Sequence, residues 1–279
     1  MSMIIKNKFK FIYIEITNYC NMNCPFCVSP NVSDRRYLDI EKFKKYILNI
    51  KEFTNTVYLH VLGEPLLHPK FEEIIKICNE NNINVRLTTN GTLINKYDFS
   101  KLNIKKISFS LQSLIQYSDD KINEYFTHLS NFINTIKFKL EARNLGIDFR
   151  LWNNKNNETI NLFNKKIKYY LEEKIDISKL NNVHLSESDE FDWPNEEDED
   201  NLSNVTCLGG KTQLAILSTG DVVLCCLDYN GKTKIGNLNE KSLKEILSDE
   251  PYQKAMMYFQ ANKCYFDLCQ KCKYRNRFK

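Results

Sequence analysis

No stretch of this sequence stays apolar for the roughly 18 residues that a membrane span requires, so no membrane partner is expected. Met1 to Phe11 contains lysines but no apolar run ending in small residues, so no secretion signal is expected. No internal repeat is present beyond an alternation of strand and helix signals. A large charge of one sign is also missing: the net charge of +4 says little about partners. The basic tail Lys273 to Lys279 could touch phosphate, but loose tails of this kind are common, and no nucleic-acid partner is read from it.

What is present is an ordinary globular composition, 42% hydrophobic and 27% charged over 279 residues. That length allows one large domain, or one large and one small, and buries about three quarters of the unfolded surface. The exception is cysteine. Nine of the ten cysteines fall in two groups, Cys20 to Cys27 and Cys207 to Cys272; only Cys78 stands apart, on an apolar helix face where it fills core. Grouped thiols without a secretion signal point to metal ligands in a reducing, cytoplasmic setting rather than to disulfides.

Apolar runs at Phe11 to Ile16, Thr56 to Leu62, Val85 to Thr89, Lys106 to Leu111, Ile147 to Leu151 and Val183 to Leu185 predict six strands. Helical patterns lie between them, the first capped by Asp39 with Ile40, Phe43 and Ile47 on one face. A later one is rich in Leu162, Phe163 and Ile167. The alternation predicts an α/β fold with a parallel, barrel-like sheet. Polar residues and glycines recur at the strand ends, where such barrels carry their chemistry: Asn18, Glu64, Asn90, Ser110, Gln112, Arg150 and Asn153. His60 and His68 flank the second strand end and read as structural.

Cys20, Cys24 and Cys27 follow the first strand at C-x3-C-x2-C spacing. Three thiolates so close can converge on one soft metal centre, but they leave a four-ligand site incomplete. A zinc knuckle or plain packing is the bland alternative. With Phe26 before the third cysteine, the stretch resembles the cluster motif of the radical S-adenosylmethionine (SAM) enzymes. The resemblance implies a 4Fe-4S cluster on Cys20, Cys24 and Cys27, with SAM on the open iron, and a partial (β/α)6 TIM-like barrel. It implies SAM contacts from Gly63-Glu64, similar to a Gly-Gly-Glu motif in which Leu62 replaces the first glycine, and from Asn90, Ser110 and Gln112. Arg150 is expected to pair with the SAM carboxylate, because a guanidinium matches a carboxylate fork.

The second group resembles the SPASM/twitch extension of the same family. It combines a hairpin, Gln213 to Ser218 and Asp221 to Cys226, with a closing C-x-x-C. The resemblance implies one auxiliary 4Fe-4S cluster on Cys207, Cys225, Cys269 and Cys272, with Cys226 and Cys264 as possible substitutes. The two spare thiols either pack or tune the cluster, or one of them donates a hydrogen atom to a substrate radical.

The expected organisation is therefore a barrel over 1–186, an acidic linker over 187–206 and a cysteine-rich α+β unit, hairpin plus helix, over 207–279. Phe191 and Trp193 make the linker a candidate docking surface for a basic partner; a solvated connection is the simpler reading. The expected activity is reductive SAM cleavage and hydrogen abstraction from an organic substrate, with a flavodoxin or ferredoxin as reductant. Peptide or natural-product modification by crosslinking or epimerisation leads; a small-molecule dehydrogenase is second, and a non-enzymatic zinc-binding interaction protein is the alternative of another class. The first strand begins near Phe11, so a peptide substrate is expected to use a separate leader-peptide recognition protein, or none.

Overall fold

The computed structural model describes residues 8–154, 156–190, 192–195 and 207–278. Six parallel strands follow one another in chain order: β1 (Phe11–Ile14), β2 (Thr56–Tyr58), β3 (Asn84–Thr89), β4 (Lys106–Ser110), β5 (Gly146–Asn153) and β6 (Val183–Asp189). Helices α1 (Ile40–Ile50), α2 (Phe71–Glu80), α3 (Asp119–Glu141) and α4 (Glu158–Tyr170) cover the outer face. Asp39 caps α1 as its sequence predicts, its Oδ1 accepting from the amides of Glu41 (3.0 Å) and Lys42 (3.1 Å). Ile40, Phe43 and Ile47 bury the face so defined, and Cys78 is fully buried on α2. On α4 the pattern is less regular: Ile167 is buried, but Leu162 is 58% exposed.

The two faces of the sheet differ in chemistry. On β5, Ile147, Phe149 and Leu151 pack outward into the main core, while the alternate residues Asp148, Arg150 and Trp152 face the barrel lumen. Ile12 and Ile14 point outward on β1, and Tyr13 and Glu15 inward. A parallel strand covered on both faces reads as continuously apolar. These strands alternate because their inner face lines a polar lumen.

The cysteine-rich segment does not form a separate sheet. Its first strand, β7 (Gln213–Ile216), pairs in parallel with the free edge of β1, Tyr13 opposite Ala215. Antiparallel β8 (Asp221–Val223) and β9 (Lys234–Asn237) complete one nine-stranded sheet, ordered β6-β5-β4-β3-β2-β1-β7-β8-β9. Short helices α5 (Leu243–Ser248), α6 (Glu250–Gln260) and α7 (Asp267–Lys271) follow. Glu15 ties the junction: its carboxylate accepts from the Leu62 amide (3.3 Å) and from the Ser218 amide (3.1 Å) and hydroxyl (2.7 Å). β6 runs to Asp189, so the strand continues into the stretch read as a linker. Phe191 and residues 196–206 of that stretch lie outside the described residues. Among the described residues no helix is long and apolar enough to cross a membrane.

Candidate active site

The loop after β1 is held open by its own polar side chains. Asn18 accepts from the Arg36 amide at 2.7 Å and donates to the Asp34 carbonyl at 2.8 Å. The Arg35 guanidinium grips the Asn18 and Ser29 carbonyls and reaches the Ser29 hydroxyl at 3.1 Å. This brace presents Cys20, Cys24 and Cys27, all half-buried. Each sulfur faces an N–H donor: the Asn90 amide group at 4.0 Å from Cys20, Gln116 at 3.6 Å from Cys24, and the Ser29 amide at 3.4 Å from Cys27. Burial pushes the Cys24 thiol up to about 12, with the neighbouring cysteines adding to the shift; burial also raises Cys20 and Cys27. Three thiolates in this setting require a cationic partner, and the N–H donors suit sulfurs that carry charge. Among the described residues no three His, Cys, Asp or Glu side chains form a single-ion site.

Gly63 and Glu64 lock the end of β2 against that loop. Gly63 adopts φ +77°, and an added Cβ would meet the Thr17 carbonyl, with the Tyr19 carbonyl at 2.8 Å and Asn18 Cα at 2.9 Å. The Glu64 amide donates to the Tyr19 carbonyl at 2.7 Å. The Glu64 side chain is buried and already engaged, accepting from the Thr89 hydroxyl (2.8 Å) and the amides of Asn90 (2.8 Å) and Leu66 (3.1 Å). It positions the β3 end, and burial holds its carboxyl up at about 7. Asn90 in turn donates to Asn21 at 3.0 Å, and the Tyr125 hydroxyl donates to the Asn90 carbonyl at 3.1 Å. Beside the loop opens a cleft of about 590 Å³, lined among others by Phe26, Cys27, Gln112, Trp152 and Trp193. The Phe26 and Trp152 rings meet edge to face at 4.6 Å, and the Gln112 Oε1 is buried without a partner. Ser110 ends β4 opposite Arg150 in register.

Cys207, Cys225, Cys269 and Cys272 line a second cavity, of about 40 Å³. Backbone amides again address the sulfurs: Gly209 to Cys207 at 3.3 Å and Leu227 to Cys225 at 3.5 Å. A hydrogen bond with Cys226 and then burial raise Cys225, while burial and the neighbouring cysteines raise Cys269 and Cys272, Cys272 to about 11. The two spare thiols part company. Cys264 is buried behind this cavity, donating to the Cys269 carbonyl at 3.3 Å and accepting from Arg275 Nη1 at 3.0 Å. Cys226 touches Cys225 on one side and Tyr13 on the other, and packs with Tyr13 on Val61, Leu217 and Val223.

Arg150 stands on β5 beside Ser110 in register, and its charge, after burial, helps hold the His60 pKa down. Sequence reasoning missed Glu15, Arg35, Gln116 and Tyr13. Of these only Glu15 left a signal, as the lone acid in Phe11-Ile12-Tyr13-Ile14-Glu15-Ile16.

Comparison with known proteins finds two family models on the chain. The model of the radical SAM superfamily matches residues 14–141, and that of an iron–sulfur cluster-binding domain, SPASM, matches 207–273. A tungsten-containing aldehyde ferredoxin oxidoreductase cofactor-modifying protein of Pyrococcus furiosus is 27% identical over 111 residues, which are 38% of this chain and 31% of that protein's length. Among solved structures, anSMEcpe with bound AdoMet and a Cp18Cys peptide superposes with a TM-score of 0.61 at 15% identity, covering 94% of this chain and 88% of that one. BtrN in complex with AdoMet and 2-DOIA gives 0.55 at 15% identity, covering 96% and 94%. These likenesses show a shared fold. The radical SAM domain implies SAM and a 4Fe-4S cluster, and the SPASM domain an auxiliary iron–sulfur site. By these matches the chain belongs to the radical SAM superfamily and carries a C-terminal SPASM domain.

Proposed function

We propose that this chain abstracts a hydrogen atom from an organic substrate held in the barrel lumen, between two iron–sulfur sites. Cys20, Cys24 and Cys27 would hold the SAM-binding 4Fe-4S cluster, and Cys207, Cys225, Cys269 and Cys272 an auxiliary one. When bound, the reduced cluster and SAM supply a 5′-deoxyadenosyl radical. The observation that carries this reading is the arrangement of thiols: three on a loop at one side of the lumen, four around a cavity beyond β7, with Cys226 turned toward Tyr13 between them.

The chain's own residues supply position and exclusion of water. Gly63 brings the β2 end onto the thiol loop, and Glu64 fixes Asn90 over Cys20. Gln112 lines the cleft where SAM would lie, and Asn90 and Ser110 stand at the ends of the neighbouring strands β3 and β4. Cys226 is the better candidate of the two spare thiols for hydrogen-atom donation, since Cys264 is tied to Arg275. Because β7 pairs with β1, the barrel over 1–186 and the cysteine-rich unit over 207–279 would act as one catalytic body.

Peptide or natural-product modification, by crosslinking or epimerisation, is the leading reaction class; the anSMEcpe structure holds a peptide. A small-molecule dehydrogenation is second, because the BtrN structure holds the small molecule 2-DOIA. A flavodoxin or ferredoxin would deliver electrons, and a peptide substrate would come with or without a separate leader-binding protein. The protein is expected to act in the cytoplasm.

The test is anaerobic reconstitution followed by dithionite and SAM. Release of 5′-deoxyadenosine from brown protein holding about eight irons supports the reading. Colourless protein with stoichiometric zinc and no release rejects it. Replacing Cys226 by alanine should abolish solvent hydrogen incorporation into product, whereas Cys264→Ala should retain it.

A further inference from the structure

One cation of the basic tail is buried against the second thiol site. Arg275 is 3% exposed and lines the same cavity as Cys207, Cys225, Cys269 and Cys272. Its guanidinium donates to the Gln270 carbonyl at 2.7 Å, to the Cys272 carbonyl at 3.3 Å and to the Cys264 sulfur at 3.0 Å. Cys264, itself buried, donates in turn to the Cys269 carbonyl at 3.3 Å. The guanidinium therefore spans the turn that carries Cys269 and Cys272, and a thiol outside the set of four holds it there.

A buried guanidinium is costly unless negative charge lies near, and an arginine does not escape the cost by losing its proton. Two sources of negative charge line the cavity. Asp228 is one, but its carboxylate is taken up within its own loop, accepting from the Lys232 amide at 2.9 Å and from the Thr233 amide and hydroxyl, each at 2.6 Å. The four thiols are the other, since as metal ligands they are thiolates.

We propose that Arg275 is the counter-charge of the auxiliary site, held in place by Cys264, and that it raises the reduction potential of a cluster on the four thiols. The inference rests on the radical SAM reading and adds a positioning residue to its second site. Reduction adds an electron to a site that is already negative, and a fixed cation beside it stabilises the reduced state more than the oxidised one. Asp228 opposes this from the same cavity. The sign of the effect separates charge from mere support of the fold. Loss of the cation lowers the potential, whereas a loosened turn that admits water raises it, because water also favours the more highly charged reduced state.

The test uses the full, cluster-reconstituted chain under argon, titrated with reductant and followed by electron paramagnetic resonance. The auxiliary signal is the one retained when Cys20, Cys24 and Cys27 are alanine. Arg275→Gln should keep the iron content of the parent and make that cluster at least tenfold harder to reduce, a fall of about 59 mV or more for one electron. Arg275→Lys, which keeps a charge but not the fork, should fall between the two. Asp228→Asn should move the potential the other way. Cys264→Ala should keep its iron and lower the potential by less than Arg275→Gln does. Should Arg275→Gln hold no auxiliary cluster, Arg275→Lys is read in its place and should be at least about threefold harder to reduce than the parent.

An unchanged or higher potential in the variant read overturns the proposal. So does a shift of Asp228→Asn in the same direction as Arg275→Gln, which would mark both as structural. Iron loss in Cys264→Ala, which would make that thiol a ligand, overturns it as well. Iron content and deoxyadenosine release of the parent are scored separately: a parent with no iron on the four thiols rejects the wider reading and this proposal with it, whereas an active parent whose variants keep its potential rejects this proposal alone.

Discussion

The two thiol sites are built in opposite ways. Cys20, Cys24 and Cys27 sit on one loop, braced largely by near neighbours: Asn18, Ser29 and Arg35. Cys207, Cys225, Cys269 and Cys272 come from separate segments and meet only when the hairpin, α7 and the closing turn are in place. The first is a local structure. The second is a long-range closure, and closing long loops costs chain entropy that a shared metal centre can offset. The first site should therefore matter most for chemistry and the second also for stability.

Four substitutions break or sharpen that contrast. Replacing Cys20, Cys24 and Cys27 together by alanine should lower deoxyadenosine release at least about a thousandfold while leaving about four irons, read by chromatography and iron assay. Cys269→Ala with Cys272→Ala should also leave about four irons, yet keep release within about tenfold. That protein should lose product formation and melt well below the parent.

His60 probes the lumen between the sites. Its folded pKa is about 3 against an ordinary 6.5, so the unfolded chain binds the extra proton between those values. Stability is then complete above pH 6.5 and falls on acidification toward 3. Denaturant titrations should show a loss of about 3 kcal/mol from pH 6.5 to pH 4 that His60→Gln removes. Gly63→Ala should cost about 2 kcal/mol and slow cluster loading, because the left-handed backbone and the Tyr19 carbonyl both oppose a Cβ. A Gly63→Ala protein that loads as fast as the parent would show that the β2 end does not shape the thiol loop.

Much of this was legible in sequence. The six strands announce themselves by short apolar runs, and α1 by Asp39 and its apolar face. Both cysteine groups read as metal sites from spacing. The polar lumen was harder to see: Tyr13, Glu15, Ser108, Asp148 and Arg150 alternate with apolar residues, but alternation alone does not tell a solvent face from an enclosed one. Of the apolar residues that marked α4 in the sequence, Ile167 is buried and Leu162 is exposed. β9 was missed as a strand, since three of its four residues, Lys234, Gly236 and Asn237, are weak strand formers, and pairing with β8 decides it.

By itself, the sequence determined the α/β class and the grouping of thiols as soft-metal ligands, with the iron–sulfur reading carried by the resemblance of the Cys20 to Cys27 motif, because short-range periodicity and close spacing are written in neighbouring residues. Only the tertiary structure decided that Cys225 lines the four-thiol cavity while Cys226 packs with Tyr13, and that Arg150 faces the lumen beside Ser110. Adjacent side chains can point to opposite sides of a sheet. Which side becomes lumen depends on β7 pairing with β1, a contact between residues some 200 positions apart that no local pattern records.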